Sequence, residues 1–183
     1  MTPRIVLRGA FAALAFLLFV GQSHGQELRT DLETLTATSE AVVVAQAVEK
    51  ESFWNEDRTA ILTRVVLQVE DQLMGQAASM TEIIIPGGQI GDVMHEVSDM
   101  PHFEVDEQAI VFVERHRSGV LIVSGGLHGK LPVHRDSNTG IRTVSGATEF
   151  FEVSSVNNSE EVEDDRIPLD DFKLRFKELR DRR

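Results

Sequence analysis

The alternation of apolar and polar residues predicts a long antiparallel hairpin near the start of the chain. The valine-rich stretch 41–48 continues toward Phe53 and Trp54 as one strand, and a polar turn reverses its direction. If 60–73 forms a strand, its odd-numbered residues, most of which are apolar, lie on one face and its even-numbered residues lie on the other. This alternation is typical of a half-buried strand, so we predict that the two segments pair.

Further short apolar runs predict a mainly β fold. They are bounded by proline, glycine or Asp/Asn turn residues, which punctuate strands. By contrast, 87–107 has no convincing period and is predicted to be a loop of unusual length for a compact domain. The further strands are predicted at 81–85, 109–114, 120–123, 130–134 and 141–144.

Helices are predicted at the two ends of this β-rich region. The segment 26–39 places leucines 28, 32 and 35 on one helical face. An acidic connector follows at 154–166, and a C-terminal amphipathic helix over 167–183 begins at Pro168. The apolar stripe of that helix is expected to pack on the chain's own sheet.

The first 25 residues have the features of a secretory signal peptide. Arg4 and Arg8 form a basic start, and 9–20 is an apolar run. That run is too short to cross a bilayer as a helix, which needs about 20 residues. Residues 1–25 are therefore predicted to be a leader that is removed on export.

Small residues at positions 23 and 25 place the expected cleavage between Gly25 and Gln26. No cysteine follows the apolar run, so we expect no lipid anchor. No second apolar stretch reaches spanning length, and we expect no stable membrane insertion after cleavage. The predicted location is secreted or periplasmic.

Composition narrows the classes of function. The 183 residues include no cysteine, which excludes disulfides and thiolate chemistry. The formal net charge is −12, and loss of Arg4 and Arg8 with the leader makes it −14. A chain this acidic repels nucleic acid, so we expect no nucleic-acid partner.

Three parts of the chain resemble the netrin-like, OB-type barrel of tissue inhibitors of metalloproteinases. They are 39–50, 61–75 ending in Gly75, and 111–113 together with 120–129. The resemblance implies an antiparallel β-barrel domain over 26–153, with a short N-terminal helix and a C-terminal amphipathic helix. The inhibitors' activity is not implied, because their zinc-chelating N-terminal cysteine has no counterpart here.

A second resemblance is to a set of uncharacterised secreted bacterial proteins. Their pattern includes a Pro-Gly-Gly turn, a Pro-x-Phe segment, an acidic residue before a strand and a Gly-Lys strand. Asp106 stands where such proteins usually have glycine, and aspartate can still adopt a left-handed turn. The matching residues here are Pro86, Gly87, Gly88, Pro101, Phe103, Glu107, Gly129 and Lys130.

The function that we predict is an exported, non-enzymatic domain that binds a protein or an envelope ligand. Its site is expected in the loop from Gly87 to Glu107 and at the neighbouring strand ends, with no catalytic residue and no cofactor assigned. Trp54 either caps the barrel or presents a binding edge. The candidate ligand-binding residues are Gly87, Gly88, His95, Pro101, His102, Phe103 and Trp54.

Two alternatives remain open at this stage. His95, His102 and nearby carboxylates suit a metal-binding protein or a metal-dependent hydrolase, because imidazole and carboxylate are ligands for zinc. Their spacing does not match a helix-borne pair such as H-E-x-x-H, so no metal ligand is assigned. The second alternative is a structural envelope component.

Overall fold

Ten strands and three helices follow one another in the computed structural model, which describes residues 32–151 and 166–182. The predicted leader, its cleavage site and most of the acidic connector lie outside the described residues. The helices are α1 (Leu32–Thr38), α2 (Thr148–Phe151) and α3 (Leu169–Asp181). The strands are β1 (Ala41–Trp54), β2 (Ile61–Met74), β3 (Met80–Pro86), β4 (Gly88–Ile90), β5 (Val93–His95), β6 (Gln108–Arg115), β7 (Leu121–Val123), β8 (Lys130–Arg135), β9 (Arg142–Ser145) and β10 (Arg166–Pro168).

The predicted hairpin is confirmed as β1 and β2, which are antiparallel along most of their length. Positions 61, 63, 65 and 67 of β2 are buried, while 62, 64 and 66 are half-buried. Bulges interrupt the register near Val42, Val44 and Ala47. The alternation therefore identifies the buried face of β2 correctly.

Eight of the described strands form one antiparallel sheet, in the order β10, β9, β8, β6, β1, β2, β3 with β7 paired to β6. β7 and β8 both pair with the same edge of β6, so β8 continues the path of β7 after a 3-10 turn at Gly126–Gly129. β3 and β7 lie near each other, but no hydrogen-bonded ladder joins them. The described strands do not form a closed barrel.

Two apolar cores lie on opposite faces of β1 and β6. The helix-side core contains Val42 and Val44 of β1, with α1, α3 and β8 packed against them. The loop-side core contains Val43 and Ala45, with β2, β3 and Phe103. Burial on both faces explains why 41–48 of β1 and 109–113 of β6 are almost continuously apolar instead of alternating.

The segment 87–107, which has no hydrophobic period, contains two strands that its sequence does not predict. β4 and β5 form a separate two-stranded sheet within 87–107. β10 pairs with β9 at the end of the predicted connector, so α3 begins at Leu169 and not at residue 167. Three-residue strands are too short to show a period.

The apolar stripe of α3 packs on the chain's own sheet, as expected. Leu169, Phe172 and Phe176 are buried in the helix-side core, and the ring of Phe176 contacts that of Phe112 edge-on. Leu32 and Leu35 of α1 are buried in the same core. Among the described helices, none is long and apolar enough to span a membrane.

Candidate ligand-binding cavity

A cavity of about 430 Å³ lies between the β1–β2 hairpin and the segment 85–103. Its volume falls within the range of small-ligand sites, roughly 300–1,000 Å³. Trp54 is absent from its wall but contacts His95, with ring centroids 5.4 Å apart in an edge-on arrangement. The structure thus brings six of the seven candidate residues to one cavity: Gly87, Gly88, His95, Pro101, His102 and Phe103.

Two hydroxyl groups form the polar part of the cavity wall. Ser52 and Thr63 are directly opposite each other in the hairpin, and their side-chain oxygens are 3.0 Å apart. Thr63 Oγ1 donates to the carbonyl of Gly87 at 2.7 Å, which fixes the Pro-Gly-Gly turn over the hairpin. Gly88 has a φ of +139°, and a Cβ there would lie 2.4 Å from Thr63 Oγ1. Glycine is required at this position by both conformation and space.

His95 is oriented by a main-chain hydrogen bond. Its Nδ1 accepts the amide proton of Ile61 at 3.1 Å. A neutral imidazole with Nδ1 as acceptor carries its proton on Nε2. Within the described part of the chain, nothing accepts that proton. His95 therefore offers a hydrogen-bond donor to a ligand.

The apolar part of the wall passes from buried to exposed side chains. Val65, Ile85 and Phe103 belong to the loop-side core and form the buried end. Met94 is 65% exposed and Val97 is 40% exposed, and both line the opposite end. Methionine is flexible and polarizable, so this rim can adapt to apolar groups of different shape.

The wall formed by Pro101–Phe103 is held by a largely buried lysine. The Lys130 ammonium lies 4.5 Å from the centroid of the Phe103 ring and 2.7 Å from the Glu107 carboxylate. It also donates to the carbonyl of His102. The Pro-x-Phe segment and the acidic residue that follows it therefore meet the Gly-Lys strand, 23 or more residues further along the chain, at one ammonium group.

Two further contacts fix the course of the segment before β6. The amide of Leu127 donates to the carbonyl of Asp99 at 2.8 Å, which joins the segment to the 3-10 turn. Asp106 has a φ of +70°, which confirms the left-handed turn predicted at this residue. Glu107 then accepts a hydrogen bond from the amide of Glu104 at 3.0 Å.

Charged groups at the cavity differ in whether they are paired. Lys50 forms an exposed ion pair with Glu104 at 3.2 Å. Asp92, Glu96 and Asp99 lie on the same segment as the exposed apolar rim, and none forms an ion pair with another described residue. Glu96 itself lines the cavity. The segment 85–103, which forms one side of the cavity, therefore carries three carboxylates without a described ion pair.

Among the described residues, the metal alternative gains no supporting geometry, and neither does Ser124 paired with His128 as a nucleophile and its base. Across 32–151 and 166–182, no three histidine or acidic side chains are grouped as metal ligands. Ser124, which precedes His128 in sequence, is fully buried and donates to Glu114 at 2.9 Å. His128 and His134 are exposed and lie outside the cavity.

Several wall residues were not predicted from the sequence. Thr63 carries a usable signal, because it is a polar residue in the buried phase of an otherwise apolar strand face. Ser52 carries no comparable signal, since its importance comes from its cross-strand partner. Lys130, which holds the wall without lining the cavity, stands in a motif whose sequence does not reveal its role, because that role depends on contacts made 23 or more residues away.

Comparison of the chain with protein-family models, with curated proteins and with solved structures finds no match. Conclusions about function therefore depend on the geometry of this molecule.

Proposed function

We propose that this protein is an exported, non-enzymatic binding protein whose ligand occupies the cavity between the β1–β2 hairpin and the segment 85–103. One observation carries the proposal: six of the seven candidate residues line one cavity, whose wall passes from a buried apolar end to an exposed apolar rim. Exposed apolar side chains beside a cavity favour an interaction site.

The hydrogen bonds of His95 and His102 favour ligand binding over metal coordination. The Nδ1 lone pair of His95 is engaged by Ile61, and its Nε2 carries a proton. His95 cannot ligate a metal through a free lone pair without losing that hydrogen bond. His102 contributes its carbonyl to Lys130, and its exposed ring has no hydrogen-bond partner among the described residues.

We also propose a netrin-like, OB-type fold. Its support is the succession of β1, β2 and β3 as a meander, the return of β6 to pair with β1, and the position of β7 beside β3. Apolar side chains from β3, β7 and Phe103 share the loop-side core where a barrel would close. An experimental structure with β3 and β7 on opposite sides of an open sheet would refute this classification.

Export is tested by the N-terminus of the protein recovered outside the cytoplasm. Mass spectrometry should find a chain that begins at Gln26. Recovery only of chains that retain residues 1–25 would refute cleavage at this site.

Ligand binding is tested with variants of the exposed rim. Met94→Ser together with Val97→Ser should abolish capture of partners by immobilised protein from envelope extracts, as measured by quantitative mass spectrometry. Ile141→Ser together with Leu174→Ser is the matched control, because those residues are 55% and 59% exposed and lie outside the cavity wall. Equal capture by both double variants would refute the proposed site.

A further inference from the structure

The chemical character of the partner can be deduced from the cavity, given the binding function proposed above. We infer that the cavity binds an apolar segment of a partner protein that is flanked by lysine or arginine. Three features carry this inference: the apolar wall, the three carboxylates without an ion pair on the segment that forms the wall, and the free donor on His95.

The wall provides the apolar part of the recognition. Met94 and Val97 at the rim lead inward to Val65, Ile85 and Phe103. Burial of apolar surface stabilises a complex by about 25 cal/mol per Å² of area before the costs of association. A segment that inserts apolar side chains therefore gains binding free energy along this wall.

The charges distinguish a cationic partner from an anionic one. On the neighbouring strands, Glu49, Glu51 and Glu82 share the single positive charge of Arg64. The three carboxylates at 92, 96 and 99 are not compensated by any described ion pair. Their potential attracts basic side chains and repels acidic ones, and the net charge of −12 acts in the same direction over a longer range.

The free Nε2 donor of His95 suits a main-chain carbonyl of a bound peptide. A peptide segment presents a carbonyl at each residue, and His95 has an Nε2 proton with no acceptor among the described residues. The neighbouring Trp54 ring also packs edge-on with the imidazole, with ring centroids 5.4 Å apart. A peptide thus satisfies the donor while its apolar side chains occupy the wall.

The test uses three end-capped, fluorescently labelled peptides and the purified protein. Their sequences are Lys-Leu-Phe-Leu-Lys, Glu-Leu-Phe-Leu-Glu and Lys-Ser-Gly-Ser-Lys. Fluorescence anisotropy should show the first binding at least about tenfold more tightly than either of the others in low salt. Its advantage over the acidic peptide should shrink between about 0.01 M and 1 M salt, as the Debye length falls from roughly 30 Å to 3 Å.

Variants without the carboxylates show which part of the molecule is responsible for the preference for the basic peptide. Asp92→Asn, Glu96→Gln and Asp99→Asn together should weaken binding of the first peptide by at least about fivefold. The matched control is Asp170→Asn, Asp171→Asn and Glu178→Gln, which removes the same charge from α3 and should leave binding unchanged. An equal loss in both triple variants would assign the preference to net charge and overturn the inference.

The remaining outcomes separate the inference from the proposed function. If the acidic or the serine-containing peptide binds as well as the first, the inferred partner class is wrong. If no peptide binds while capture still depends on Met94 and Val97, the inference fails and the binding function stands. If capture does not depend on those residues, the proposed function fails.

Discussion

At the scale of single residues, Lys130 connects parts of the chain that are distant in sequence. Its side chain is only 9% exposed, and its ammonium contacts the Glu107 carboxylate, the Phe103 ring and a main-chain carbonyl. A largely buried charge with several partners is costly to remove, because its partners lose their compensation. The position of the Pro101–Phe103 wall therefore depends on this one group.

We expect Lys130→Met to lower the free energy of unfolding by about 2 kcal/mol, the usual contribution of hydrogen bonds to charged groups. Urea denaturation measures the change. Lys50→Met is the matched control, since the Lys50–Glu104 pair is exposed and contributes less than about 1 kcal/mol. Equal effects of the two substitutions would contradict the role assigned to Lys130.

Gly88 gives a second prediction at the residue scale. Gly88→Ala should lower the free energy of unfolding by about 2 kcal/mol or more, because the new Cβ meets two hydroxyl oxygens in a conformation that is almost exclusive to glycine. Gly91→Ala also has a positive φ but meets nothing within 4 Å, so a loss of about 1 kcal/mol is expected. Similar melting temperatures for both variants would count against the close approach at Gly88.

At the scale of elements, an ion pair connects α3 to the end of β2. Lys173 Nζ lies 2.7 Å from the Asp71 carboxylate. The hydrogen bond from Lys173, together with its charge, lowers the pKa of Asp71 below the ordinary value of 3.8. The ionised carboxylate therefore stabilises the fold above about pH 4, and this stabilisation is lost as the pH falls through the lowered pKa.

Lys173→Met should reduce stability at pH 7 by less than about 1 kcal/mol, because both side chains are partly exposed. The difference from the parent protein should disappear in strong acid, where Asp71 is protonated in both. Urea denaturation from pH 7 to pH 2 measures the difference. Lys177→Met, on the same helix but without a described ion pair, should show no such convergence.

At the scale of the whole molecule, sequence periodicity predicted the elements that are long and face one core. The alternation at 61–67 identified β2 and its buried face, and the stripe at 169–176 identified the packing of α3. The β4–β5 hairpin and β10 escaped prediction because three residues carry no period.

The candidate site was predictable only in part. Its glycines, prolines and histidines cluster in a segment without periodicity, which indicated a functional loop. The polar wall formed by Ser52 and Thr63 and the contacts of Lys130 depend on which strands become neighbours. Local sequence does not contain that information.

The burial of β1 on both faces determines how the amide protons of this molecule exchange with solvent. Val42, Val43 and Val44 are fully buried and lie between two hydrogen-bonded neighbours, β2 and β6. No fluctuation confined to one core exposes them, so their exchange requires global unfolding. Deuterium uptake at these amides should be the slowest in the chain and should respond to urea as global stability does, whereas uptake in the β4–β5 hairpin proceeds by local opening.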